Sequence, residues 1–178
     1  MNTQPTIAIS RCLLGDAVRY DGGHKHAPNL LQTLEGRVRF IPLCPEAEVG
    51  LGIPRPPMRL ESHRGRISLK VIEDGQDHTD RMLAYADQRT LALIRQGVDG
   101  FILKARSPSC GKAVPLFVNG EAGSERVPGL FAARAQRIDS APPIADEEEL
   151  ESAQTRTRFL AAAQAHFLAR VGHPPVKG

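Results

Sequence analysis

The chain has 178 residues, 41% of them hydrophobic and 24% charged, with a net charge of +3 and a pI of about 9.0. That composition suits one globular domain over residues 1–178 and excludes a disordered chain; no apolar run approaches the ~18 residues of a membrane span. Three cysteines, Cys12, Cys44 and Cys110, are an odd number far apart in sequence, which excludes a disulfide framework.

Residues 1–6 carry no basic and apolar leader, and free thiols suit a reducing compartment, so a cytoplasmic location is expected. Lys and Arg are spread along the chain. An anionic partner such as a nucleotide or tRNA is permitted but not demanded; DNA and membrane are not expected, and the chain reads as a monomer or weak dimer.

Taken in order, residues 6–10 are a β-branched run and a first strand. Paired glycines at Gly22 and Gly23, among Asp21, His24 and Lys25, mark a tight polar loop. Residues 28–34 place Leu30, Leu31 and Leu34 on one helical face, with Pro28 in the first turn and Gly36 beyond the end. A second strand over 37–43 ends at Cys44. Residues 58–61 receive no element, and 66–72 alternate as a strand closed by Asp74-Gly75.

A helix follows over about 79–96, with Leu83, Ala86, Thr90 or Leu91, Ile94 and Val98 inward. Residues 101–104 form a strand that runs into Ser107-Pro-Ser-Cys-Gly111. A strand over 114–118 reaches the hairpin signal Asn119-Gly120. Residues 121–126 read as an exposed loop, 128–136 as a short helix and 141–145 as an extended link. The acidic run 146–149 reads as the solvated start of a last helix, which places Leu150, Ala153, Leu160, Ala163 and Phe167 inward. Order is expected over about 6–170 and a loose tail over 171–178. The alternation implies α/β architecture: one domain with a mostly parallel sheet flanked by helices, Rossmann-like and three-layered.

Each cysteine falls after a predicted strand. If those strands are parallel, all three thiols stand at one sheet edge, where α/β proteins build sites. Three thiolates suit zinc with a fourth ligand such as His24 or His26, or an iron–sulfur cluster with one iron lacking a protein ligand. Nucleophilic Cys–His chemistry leaves two thiols unexplained.

The segments Ser10-Arg-Cys-Leu-Leu-Gly15, Val18-Arg-Tyr-Asp-Gly-Gly-His-Lys25, Cys44-Pro-Glu46 with Gly50-Leu-Gly-Ile-Pro-Arg-Pro56, and Leu103-Lys104 with Ser107-Pro-Ser-Cys-Gly111 resemble the thiouracil desulfurase family, DUF523. The resemblance covers roughly residues 6–135. Pro128-Gly-Leu-Phe-Ala132 and Ala145-Asp-Glu-Glu-Glu-Leu150 look like the branch often fused to a second domain, DUF1722, which is associated with thiouridine in tRNA; this chain stops before such a domain.

The resemblance implies a [4Fe-4S] cluster held by Cys12, Cys44 and Cys110 with one open iron site. It implies non-redox desulfuration of thiolated pyrimidines, 2-thiouracil or related thiouracil and thiouridine, to the oxo base with release of sulfide. Glu46 matches the catalytic carboxylate and Ser107 the catalytic serine. The alternatives are the same chemistry on thiouridine in tRNA or nucleotides, and a non-catalytic zinc or cluster protein.

Tyr20, Asp21, His24, Lys25, Glu48, Arg55, Lys104 and Ser109 are the remaining candidates for substrate contact. Each has a plainer reading. Asp21 caps a local turn, Tyr20 anchors a loop, Glu48 stands behind the site or in solvent, Arg55 pairs with a carboxylate, and Lys104 snorkels.

Overall fold

The computed structural model describes residues 3–138 and 142–172. In chain order it holds β1 (Thr6–Ser10), a 3-10 turn at Arg11–Leu14, α1 (Pro28–Leu34), β2 (Arg39–Leu43) and α2 (Pro45–Glu48). There follow β3 (Met58–His63), β4 (Arg66–Val71), α3 (Thr79–Arg95), β5 (Gly100–Leu103), β6 (Val114–Val118), β7 (Glu121–Val127) and α4 (Leu130–Ala135). The chain closes with β8 (Ile144–Asp146), a second 3-10 turn at Glu149–Glu151 and α5 (Ala153–Gly172). The start of the expected link, Ala141, and most of the expected tail, residues 173–178, lie outside the described residues.

The first sheet has the order β2-β1-β5-β8 and is parallel throughout. All five residues of β1 are buried, as a central strand covered on both faces must be. Ile7 and Ile9 face Leu30 and Leu34 of α1 and Phe159 and Leu160 of α5. Ala8 and Phe101 face Ala86 and Leu93 of α3 and Phe131 of α4. Helix, sheet and helix thus make the three expected layers.

A second, mixed sheet of order β4-β3-β6-β7 was not foreseen. β3 pairs antiparallel with β4 and parallel with β6, and β6 turns back into β7. Strands β3 and β7 hide in the sequence because few of their residues face a core: Leu60 is the buried residue of β3 and Val127 that of β7. Polar side chains on an edge strand guard it against stray pairing and erase the alternation that would reveal it. Asn119 and Gly120 do form the expected turn, both with positive φ.

Helix α3 packs on both sheets. Ala86 and Leu93 meet the parallel sheet, while Met82 and Leu83 meet the mixed one. Its buried positions are Thr79, Met82, Ala86, Thr90 and Leu93, whereas Leu91 is 59% exposed. The expected stripe is therefore displaced, because a helix between two sheets buries more than one seam. On α5, Leu160, Ala163 and Phe167 are buried as expected, joined by Phe159, and Ala153 is exposed.

At the N-terminal edge of the parallel sheet, fully buried Asp99 accepts the Thr6 backbone N–H at 2.9 Å. Arg170 of α5 donates Nε and Nη2 to the two carboxylate oxygens of Asp99, each at 2.9 Å. His166 Nδ1 lies 3.2 Å from the same carboxylate. This network fixes α5 at the end of the sheet away from the cysteines.

Candidate active site

The site grows from the C-terminal ends of β2, β1 and β5. In register, Ser10 stands beside Leu43 and Ile9 beside Ile102. Cys12 follows β1 in the first 3-10 turn, which Gly15 closes with φ 102°. Cys44 follows β2 as the N-cap of α2, and its N–H donates to Glu48 Oε1 at 3.0 Å. The Lys104 N–H donates to Ser10 Oγ at 2.8 Å, which ties the end of β5 to the end of β1.

Cys110 sits farther from its strand, so its loop needs bracing. Ser107 Oγ accepts the N–H groups of Ser109 at 3.2 Å and Cys110 at 3.1 Å. The loop also caps α4: Pro108 O accepts Leu130 N–H at 3.2 Å, and Ser109 O accepts Phe131 N–H at 2.9 Å. These first-turn amides have no partner within the helix. The loop comes so near that a Cβ on Gly129 would lie 2.5 Å from the Ser109 carbonyl carbon.

A cavity of about 470 Å³ opens beyond the three strand ends, lined by Cys12, Cys44 and Cys110 with Glu46, Arg55 and Ser107. Arg11, Arg19, Tyr20, Lys25, Lys104 and Arg106 also contribute to its wall. Cys12 and Cys110 are buried and Cys44 half-buried, all as free thiols. Burial pushes Cys12 up to about 11, with the nearby Cys44 adding to the rise. Burial likewise raises Cys44 and Cys110, and Glu46 adds to the rise at both.

Three such thiols resist ionising together, and a bound metal's positive charge is what reverses that preference. Among the described residues, no three His, Cys, Asp or Glu side chains are arranged to hold one metal ion. A cluster makes a different demand, since each thiolate ligates its own iron. The donor set therefore fits a cluster. His24 and His26, the candidate fourth zinc ligands, are not part of the cavity wall; His24 Nδ1 accepts the His26 N–H at 3.2 Å.

Glu46 is held at both oxygens. Oε2 accepts Arg55 Nε at 2.9 Å and Nη2 at 2.5 Å, and Oε1 accepts the Ser109 hydroxyl at 2.9 Å. Arg55 is thus turned toward a carboxylate, and Ser109 is fully buried outside the cavity wall. Tyr20 remains available at the cavity, 42% exposed, with the Arg19 guanidinium 5.2 Å from its ring centroid. Lys25 also lines the cavity.

Asp21 stands off the wall and accepts the Gly23 N–H at 3.0 Å while pairing with Arg19. The Gly23 hydrogen bond is the main cause holding its carboxyl below the usual range. Glu48 caps Cys44 and accepts the Tyr85 hydroxyl at 2.6 Å, so it stands behind the site.

Lys104 reaches the cavity but spends its ammonium on Glu147 and on Ala105 O. The whole acidic run behaves this way. Glu147 pairs with Lys104, Glu148 with Arg106 and Glu149 with Lys112. The run expected as a solvated helix start instead clasps the cations on either side of the Cys110 motif. Ser10 was also missed: it accepts the Lys104 N–H, and its side chain hydrogen-bonds Cys110. One hydroxyl ending an apolar strand is its only signal in the sequence.

A family described as 2-thiouracil desulfurase matches residues 7–149. A solved structure titled [4Fe-4S]-dependent thiouracil desulfidase TudS (DUF523Vcz) is 30% identical to this chain. The match covers 87% of this chain and 99% of that one, with a TM-score of 0.66. No curated protein matched the chain.

Proposed function

The chain belongs to the 2-thiouracil desulfurase family, and from that membership we propose how its residues carry out the reaction. It is a [4Fe-4S]-dependent enzyme that removes sulfur from thiouracil. Cys12, Cys44 and Cys110 would hold the cluster. The observation that supports this assignment is that three parallel strand ends bring all three thiols to one cavity beside Glu46. When bound, the cluster supplies a sulfur-seeking Lewis acid at the iron that no protein side chain ligates.

The net change is hydrolytic: a C=S carbon gains oxygen from water, and sulfur leaves as sulfide with no change of oxidation state. Glu46 takes the proton from the attacking water and returns it to the ring nitrogen or the departing sulfur. Ser107 already accepts two backbone N–H groups, so its own hydroxyl proton is left to donate into the cavity and orient the pyrimidine. Tyr20 offers a flat face on which a pyrimidine stacks. Free thiols and the absence of any helix long and apolar enough to cross a membrane, among the described residues, are consistent with a cytoplasmic enzyme.

Protein purified without oxygen is expected to be brown, with about four irons per chain and matching acid-labile sulfide. It is expected to release sulfide from 2-thiouracil. Glu46→Ala is expected to keep the iron and lose turnover by about 100-fold or more. A colourless protein with one zinc and no iron, inert to every thiopyrimidine, overturns the reading. Parallel assays on 4-thiouridine and on thiolated tRNA separate a free base from a nucleoside or RNA substrate.

A further inference from the structure

Arg55 is the one charged residue of the cavity wall that is nearly sealed from solvent, with a side chain 4% exposed against 13% for its partner Glu46. A buried guanidinium that served substrate would keep donors free. Arg55 does not: Nε and Nη2 go to Glu46 Oε2, and Nη1 donates to Val18 O and to Gly52 O at 3.0 Å each. Those bonds use four of the five donors a guanidinium has. Both bonds to Glu46 converge on one oxygen, and Ser109 takes the other.

We propose that Arg55 is the positioning residue of this reaction: with Ser109 it locks the Glu46 carboxylate in its place in the cavity, and it does not bind substrate. The inference rests on Glu46 being the proton-handling carboxylate. It goes further by naming what fixes that carboxylate.

The lock also spans two ligand-bearing segments. The Arg55 N–H donates to Tyr20 O at 2.8 Å, and its Nη1 reaches Val18 O. Both acceptors lie on the chain that follows Cys12. Glu46 lies two residues beyond Cys44, and Ser109 immediately precedes Cys110. One side chain thus relates the proton carrier to all three strand ends. Lysine keeps the charge but is a point donor, unable to hold one oxygen from two nitrogens while bonding two carbonyls.

The test compares R55K, E46Q and the double variant, each purified without oxygen and assayed for iron, kcat and KM on 2-thiouracil, with single-turnover runs for slow variants. R55K is expected to keep its iron and its KM within about twofold while kcat falls about 10- to 100-fold, the scale of a misplaced catalytic group. In the E46Q background, adding R55K is expected to change the rate by less than about twofold, because no carboxylate is left to position. S109A, which releases the other oxygen, is expected to lower kcat with KM unchanged.

A raised KM with kcat intact in R55K overturns the proposal in favour of substrate binding. Lost iron in R55K overturns it in favour of a purely structural role. Losses that multiply in the double variant, or an S109A enzyme with wild-type kcat, also overturn it while leaving Glu46 catalytic. Wild-type kcat in E46Q overturns the Glu46 reading itself, and the positioning role with it.

Discussion

At the scale of single residues, the three thiols were legible because a reducing compartment leaves little reason to place cysteines at three strand ends except chemistry. Arg55 was not legible. Between Pro54 and Pro56 it had several possible carboxylate partners, and only the folded chain shows that Glu46, nine residues away, is the one. Ser109 and Glu48 were noticed as polar neighbours of cysteines, but sequence cannot say whether a side chain faces the cavity or its rear. Two outcomes separate the ligands from their neighbours. Cys44→Ser is expected to drop the iron content below about one per chain, read by metal analysis and loss of the brown absorption. Ser107→Ala is expected to keep the iron, lower kcat about tenfold, and lose roughly 1 kcal/mol of stability, because two buried N–H groups lose their acceptor. Denaturant titration of the anaerobic protein checks the second figure.

At the scale of elements, the loop carrying Cys110 gains its shape from what surrounds it. The first turn of α4 donates its spare amides to the loop's carbonyls, and the acidic run after β8 neutralises the cations on either side. Gly129 is the point of closest approach, and its φ of −57° is open to any residue, so the demand there is for space. Gly129→Ala forces backbone against backbone and is expected to cost about 1–3 kcal/mol. That lowers the melting temperature by several degrees for a chain of this size, measurable by calorimetry, together with a fall in bound iron. Helices and parallel strands were read well because their periods and caps are strong. Strands β3 and β7 were not, since a strand with one buried residue carries no alternation to detect. The acidic run was misjudged for a related reason: its partners lie about 40 residues back, on another strand's loop.

At the scale of the whole molecule, the parallel sheet has a chemical end and an anchoring end. Asp99, Arg170 and His166 occupy the second, and nothing in that network touches the cavity. Arg170→Met removes two charge-assisted hydrogen bonds from buried Asp99 and is expected to cost about 1.5–3 kcal/mol. Turnover per bound cluster should stay unchanged; a fall in kcat without lost iron would show that the two ends communicate. The parallel arrangement has a further meaning for the order of events in the protein's life. Neighbouring strands lie about 4.8 Å apart whatever their termini carry, so the attachment points of Cys12 and Cys44 are set by hydrogen bonds made before any metal arrives. In this respect the chain is the opposite of a zinc finger, where metal and fold appear together. Chain stripped of metal by chelator should still unfold in one cooperative transition and accept iron and sulfide afterwards without being refolded. Maturation is then a late delivery to a finished protein, and loss of the cluster in air a reversible injury.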